Sequence, residues 1–95
     1  MSHDALIDAL SGYVDTWSDG TVVYRDAVGQ THRLDGPAVI YPSGTRAWYR
    51  NGRLHRTDGA AIMFSGGRCD WYLNGVSMPE DVFWQRIASG DHLEP

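Results

Sequence analysis

Apolar residues come along this chain in short bursts rather than in long stripes. Residues 38–41 and 60–64 are apolar on both faces, as a strand is where its sheet is covered on both sides. Further on the period is two. Cys69, Trp71 and Leu73 fall on one side, with Arg68, Asp70 and Tyr72 on the other, which predicts a strand that buries its Trp face. The segment before it is less regular: Arg46 and Arg50 flank Trp48, with Ala47 and Tyr49 opposite, so the Arg stems are expected along the sheet with their heads at its edge. Helical spacing occurs only at the ends. Leu6, Ile7 and Leu10 make one stripe after a capping Ser2 and stop at Gly12. Val82, Phe83 and Ile87 make another. The second is preceded by Ser77-Met78-Pro79-Glu80, a capping box with Pro in the first turn, has Asp81 near the positive end of the helix dipole and is closed by Gly90.

The bursts repeat. His32-Arg33-Leu34-Asp35-Gly36-Pro37-Ala38 returns 23 residues later as His55-Arg56-Thr57-Asp58-Gly59-Ala60-Ala61, and Trp48-Tyr49-Arg50-Asn51-Gly52 returns at the same offset as Trp71-Tyr72-Leu73-Asn74-Gly75. A fixed period marks one supersecondary unit stacked on itself. The first unit runs over about 18–41, the second over about 42–64, and the third starts at Ser65 and departs from the pattern after Gly75. Gly20 to Gly44 is 24 residues against 23 for His32 to His55, so the first unit carries one extra residue, placed in a loop near Val28. Asn51-Gly52 and Asn74-Gly75 are the dipeptides of two-residue type I′ hairpin turns. Asp19-Gly20 and Ser43-Gly44 offer weaker turns between units, and Gly36 and Gly59 are expected to bulge or kink the strand.

These elements compose a mostly β, α+β fold: stacked hairpin repeats forming a twisted antiparallel meander of about six strands. It makes a single domain over residues 1–95, with an N-terminal helix over 1–12, hairpin repeats over 13–76 and a C-terminal helix over 77–90. Terminal elements unlike the repeat are what a stack needs to cover its open ends. A chain of this size is only moderately stable alone, and a homodimer would bury more surface. Four Trp, five Tyr and two Phe supply the apolar area of a folded core. The single Cys69 leaves no partner for an intramolecular disulfide and fits a reducing, cytoplasmic setting. No leader, lipidation motif or long apolar run argues for export or membrane insertion.

The net charge of −4 hides an uneven distribution. Residues 1–35 carry six Asp against two Arg, residues 36–69 five Arg against one Asp, and residues 70–95 five acids against one Arg. The middle is basic and both ends are acidic. Every cation is Arg, which favours forked and stacked contacts over diffuse charge.

The hairpin with an aromatic residue, Asn-Gly, His and then Gly resembles the MORN repeat. The fuller string Trp-Tyr-x-Asn-Gly-x-Leu-His-Arg-x-Asp-Gly-x-Ala is similar to a variant found in small proteins of tailed bacteriophages. The resemblance covers about residues 18–75. It implies a binding surface, with no shared catalytic residues to carry over. The third unit lacks the His-Arg-x-Asp-Gly half, and Ala60 stands where the first unit has Pro37.

His32 and His55, with Arg33, Arg56, Asp35 and Asp58, contain the groups of a phosphodiesterase, a small nuclease or a divalent-metal site. Like groups repeated once per unit form a row, however, whereas a catalytic site needs unlike groups converging. They are therefore read as structural, without metal or cofactor. Arg and Asp two apart share a face of an extended strand and can pair. Partner contact is assigned to Arg46, Tyr49, Arg50, Arg53, Arg56 and Tyr72, with Tyr49 beside Tyr72 on an outward face bordered by cations. Cys69 is expected to pack in the core. The reading at this level is a non-enzymatic binding module, phage-borne, that inhibits or sequesters a host or defence component in the cytoplasm. A protein partner is preferred and a small anionic ligand remains open, whereas the net negative charge argues against nucleic acid. A nuclease using His32 and His55 and a self-assembling structural protein are the alternatives.

Overall fold

The computed structural model describes residues 12–90, so the expected helix over 1–12 lies almost wholly outside the described residues. Within them a mostly β architecture is present: nine short antiparallel strands followed by one helix. The strands are β1 (Tyr13–Thr16), β2 (Val22–Arg25), β3 (Val39–Ile40), β4 (Arg46–Ala47), β5 (Tyr49–Arg50), β6 (Arg53–Leu54), β7 (Ile62–Met63), β8 (Cys69–Leu73) and β9 (Val76–Met78). Seven of them form a meander in the order β1-β2-β3-β4-β7-β8-β9, while β5 and β6 pair as a separate ribbon. The helix α1 (Glu80–Ser89) follows β9. No helix among the described residues is long and apolar enough to cross a membrane.

Nine strands replace the six expected because the chain changes partners within each unit. The Trp48 amide donates to the Ala61 carbonyl at 2.7 Å, yet the Trp48 carbonyl accepts from the His55 amide at 3.0 Å. One residue thus bonds two different segments of its own unit, the one leading into β7 with its N–H and the one following β6 with its C=O, which divides β4 from β5. Tyr24 does the same in the first unit, donating to Ala38 and accepting from His32. The two hairpin tips of this type are the Asn-Gly turns. Asn51 and Asn74 have φ of 53° and 50°, and Gly52 and Gly75 follow at 80° and 82°, the doubly left-handed geometry of a type I′ turn. In the first unit the extra residue is absorbed as foreseen: the turn widens to residues 26–29, Asp26 Oδ1 accepts from the amides of Val28 and Gln30, and Gly29 closes it.

The core cluster of the central strands is small. Val23, Val39 and Ala47 are buried, and Tyr49, Leu54 and Ile62 pack on them. Ala38, Ala60 and Ala61 are also buried. Two expectations about faces change here. Tyr49 belongs to the core side, so the buried face in the second unit is that of Ala47 and Tyr49, not that of Trp48. Cys69 is exposed although Leu73, on the same face of β8, is buried, because α1 covers only the far end of that strand.

The C-terminal helix starts later than 77. Ser77 pairs with Tyr72 in the β8–β9 ladder, which takes it out of capping reach, and Pro79 occupies the cap position with no side-chain cap bond. The rest of the expectation holds: Glu80 and Asp81 lie in the first turn, and Gly90 closes the helix at φ 83°. Phe83 is wholly buried.

The turn geometry sets a test. Gly75→Val forces a β-branched residue to φ 82° and should cost about 1–3 kcal/mol in urea unfolding. Gly66→Ala is the control: a Cβ there meets nothing within 4 Å and the backbone is not left-handed, so stability should hold or rise by about 0.4–1 kcal/mol. Equal losses in both variants would contradict the assigned turn.

Candidate functional site: the groove between repeated loops

Each His-Arg-x-Asp-Gly segment closes on itself in the same way. The Arg56 guanidinium carbon sits 3.9 Å above the centre of the Trp48 ring, and that of Arg33 sits 3.9 Å above Tyr24. Arg56 Nε donates to Asp58 Oδ1 at 2.9 Å and its Nη1 to the Ala60 carbonyl at 3.1 Å. In the first unit Arg33 repeats both bonds, to Asp35 at 3.0 Å and to the Pro37 carbonyl at 3.2 Å. On the far side of each guanidinium lies the glycine. A Cβ built on Gly59 would stand 2.8 Å from Arg56 Cζ, and one on Gly36 would stand 3.1 Å from Arg33 Cζ. Neither glycine is left-handed. The chain bends at 34–36 and 57–59, as expected from the sequence, and Gly there also leaves room for a planar cation. An aromatic ring, a carboxylate, a carbonyl and a glycine thus hold one guanidinium in place, a combination of cation–π and charge-assisted bonds.

The histidines join one unit to the next. His32 Nδ1 accepts from the Asn51 amide at 3.0 Å, and His55 Nδ1 accepts from the Asn74 amide at 2.9 Å. Beside each, the amide of the turn glycine donates to the earlier unit: Gly52 to the Thr31 carbonyl at 2.9 Å and Gly75 to the Leu54 carbonyl at 2.8 Å. A type I′ turn leaves such amides pointing outward, and the preceding repeat receives them. No group of three or more His, Cys, Asp or Glu side chains among the described residues is placed to hold a metal ion.

Between the two closed loops runs a groove of about 450 Å³, lined by Arg33, Leu34, Asp35, Trp48, Arg50 and Arg56 together with His55 and the second loop's Thr57 and Asp58. Trp48 is the aromatic residue of its lining, and its Arg and Asp side chains number three against two. On the opposite side of the sheet lies a shallower apolar hollow, bounded by Tyr41, Tyr49, Ile62 and Phe64. Burial lifts the Tyr49 phenol above its ordinary value of 10.0, with neighbouring Tyr41 and Tyr72 adding to the effect.

The six residues assigned to partner contact are therefore not one patch. Arg50 and Arg56 line the groove, whereas Tyr49 faces the apolar hollow. Arg46 is exposed on β4 outside the groove lining. Arg53 pairs with Arg50 across β5 and β6, with its stem beside the Asn74-Gly75 turn. Tyr72 is half-buried and acts electrostatically on Tyr49, and both phenols lie across the sheet from the groove cations. Strict alternation separates Tyr49 from Arg50. Arg33 and Trp48, outside the six residues assigned to contact, also line the groove, and the 23-residue period makes Arg33 the counterpart of Arg56. Comparison with protein families, curated proteins and solved structures finds no match for the chain.

The guanidinium clamp makes an ordered prediction. Gly59→Ala should destabilise by about 1–2 kcal/mol, because the methyl displaces a cation that the stack and two bonds hold, and Gly36→Ala, with the wider approach, should cost less. In an Arg56→Ala background the Gly59→Ala cost should largely vanish in a thermal-unfolding double-mutant cycle. Additive losses would show that Gly59 has another role.

Proposed function

We propose that this chain is a non-enzymatic binding module that engages a protein partner along the groove between its two His-Arg-x-Asp-Gly loops. The observation that carries this reading is the groove's composition. Arg33 and Arg56 on successive repeats, with Trp48 beside them, are residue types that dominate binding energetics, and the two guanidinium groups are held in fixed geometry, so little conformational freedom is lost on contact. From the resemblance to small tailed-phage proteins comes the further proposal that the chain acts in a host cytoplasm, where it would inhibit or sequester a host or defence component.

Supporting this reading over a phosphodiesterase is the use made of the imidazoles. Both Nδ1 atoms accept backbone amides of the following turn, so each ring has a repeated architectural task, and the two rings stand in equivalent rather than complementary positions. Hydrolysis requires one acid and one base around a common reacting atom.

The test uses groove-rim substitutions. Leu34 and Thr57 are exposed, so a Leu34→Glu/Thr57→Glu variant should keep its circular dichroism and melting point, yet lose partners that the wild type recovers from bacterial lysate. Unchanged recovery would remove the groove from the interface. The companion measurement is His55→Ala, which should cost about 1–3 kcal/mol by orphaning the Asn74 amide, and more than His32→Ala because His55 is the more buried. A phosphodiester-cleaving activity that disappears in a folded His32→Ala variant would overturn the non-enzymatic reading.

A further inference from the structure

The clamp uses only part of each guanidinium. Arginine carries five N–H donors in a rigid fork. Nε and Nη1 of Arg33 and Arg56 are spent on Asp and carbonyl oxygens, with Met63 Sδ also near Arg56 Nη1. Among the described residues none accepts from Nη2 of either side chain. Both faces of each guanidinium are covered, by the ring on one side and the glycine on the other. The side chains nevertheless remain 25% and 21% exposed, and both line the groove. What a ligand can reach is therefore the outer edge of the fork.

Two such forks stand one repeat apart. A repeat adds two strands to the sheet, so equivalent atoms are displaced by about 10 Å. A chain in the polyproline II conformation rises about 3.1 Å per residue with three residues per turn, so side chains at i and i+3 lie on one side at about that same spacing. We propose that the groove takes an extended acidic peptide segment of a protein partner, seating one carboxylate on the Nη2 edge of Arg33 and a second, three residues away, on that of Arg56. This rests on the binding-module reading and specifies its partner. Trp48, which lines the groove beside the stacked Arg56, offers apolar surface to such a peptide, the kind on which polyproline II ligands dock.

Charge selects a peptide over nucleic acid. Asp35 and Asp58 stand on the groove walls, each 83–85% exposed at its side chain, and the whole chain carries −4. A phosphate on every unit of a strand would meet those carboxylates, whereas two isolated carboxylates at the spacing of the forks need not.

The probe is a fluorescently labelled, proline-rich peptide with two glutamates three residues apart, titrated against the full chain. It should bind, weaken about tenfold or more when both glutamates become glutamine, weaken similarly when they are made adjacent, and lose affinity with added salt. Thr57→Glu and Leu34→Glu should each reduce binding about tenfold at unchanged melting temperature, which keeps the test valid if Arg56 variants fail to fold. Indifference to the Glu→Gln change or to glutamate spacing would overturn the inference, as would tighter groove-dependent binding of a single-stranded oligonucleotide. If the peptide does not bind while lysate partners are still lost in the Leu34→Glu/Thr57→Glu variant, the acidic-peptide inference falls and the groove reading stands. If those partners are retained as well, both fall.

Discussion

The bond from an Asn amide to the imidazole of the preceding repeat is the constraint on which the rest of this fold depends. A type I′ turn resolves hairpin register but leaves its own amides facing outward. In the first of the two junctions the Asn51 amide reaches His32 and the Gly52 amide reaches Thr31. In the second the same pair of bonds runs from Asn74 and Gly75 to His55 and Leu54. Each hairpin tip is therefore finished by its predecessor, not by itself. Stability then accrues between nearest neighbours along the stack. Once His has fixed the tip, the next residue in sequence, Arg, is delivered over the aromatic ring of its own unit, and the Asp-Gly pair two and three positions on receives it.

An array built this way has a problem at its last unit, and α1 resolves it. Trp71 is the counterpart of Trp48, but Pro79 stands where a third clamp Arg would be, and among the described residues no cation covers the ring. Phe83 and Trp84 cover it instead, at 5.0 and 5.7 Å between ring centres, with Phe83 and Trp84 themselves 4.9 Å apart and nearly perpendicular. A guanidinium stack is thus exchanged for an aromatic cluster, which buries more apolar area and needs no further repeat beyond it. The helix is the terminal form of the clamp.

This exchange also explains what was legible in the sequence. The period, the Asn-Gly turns, the inserted residue near Val28 and the Gly90 stop are written in residue types whose backbone demands are local, and each appears in the structure. Side-chain facing was less legible. Alternation alone cannot say which side of a sheet is covered, and here the Tyr49 side is core while the Trp48 side holds the groove. Ser77 looked like a helix cap because Pro79 and Glu80 follow it, yet pairing with Tyr72 across the final turn claimed it first. Gly36 and Gly59 looked like places where the chain bends, and it does bend there, but their second task, room for a cation three residues back, shows only once the loop is folded. Of the expected contact residues, Arg50 and Arg56 share a groove, and their separation from Tyr49 follows from a parity that the basic run around Trp48 concealed.

In the proposed binding reading, clamping and recognition draw on the same guanidinium. A flexible surface Arg loses substantial side-chain entropy when it captures a carboxylate, which is why exposed ion pairs contribute so little. Arg33 and Arg56 have lost that freedom on folding, with the aromatic ring, the Asp and the carbonyl as compensation. Any acceptor meeting the remaining edge encounters a donor already in position. The groove also has a minimum size: one loop supplies a fork but no opposite wall, and the second loop supplies both. The two His-Arg-x-Asp-Gly units of this chain are therefore the fewest that can form such a site, and the unit without that motif serves to end the stack.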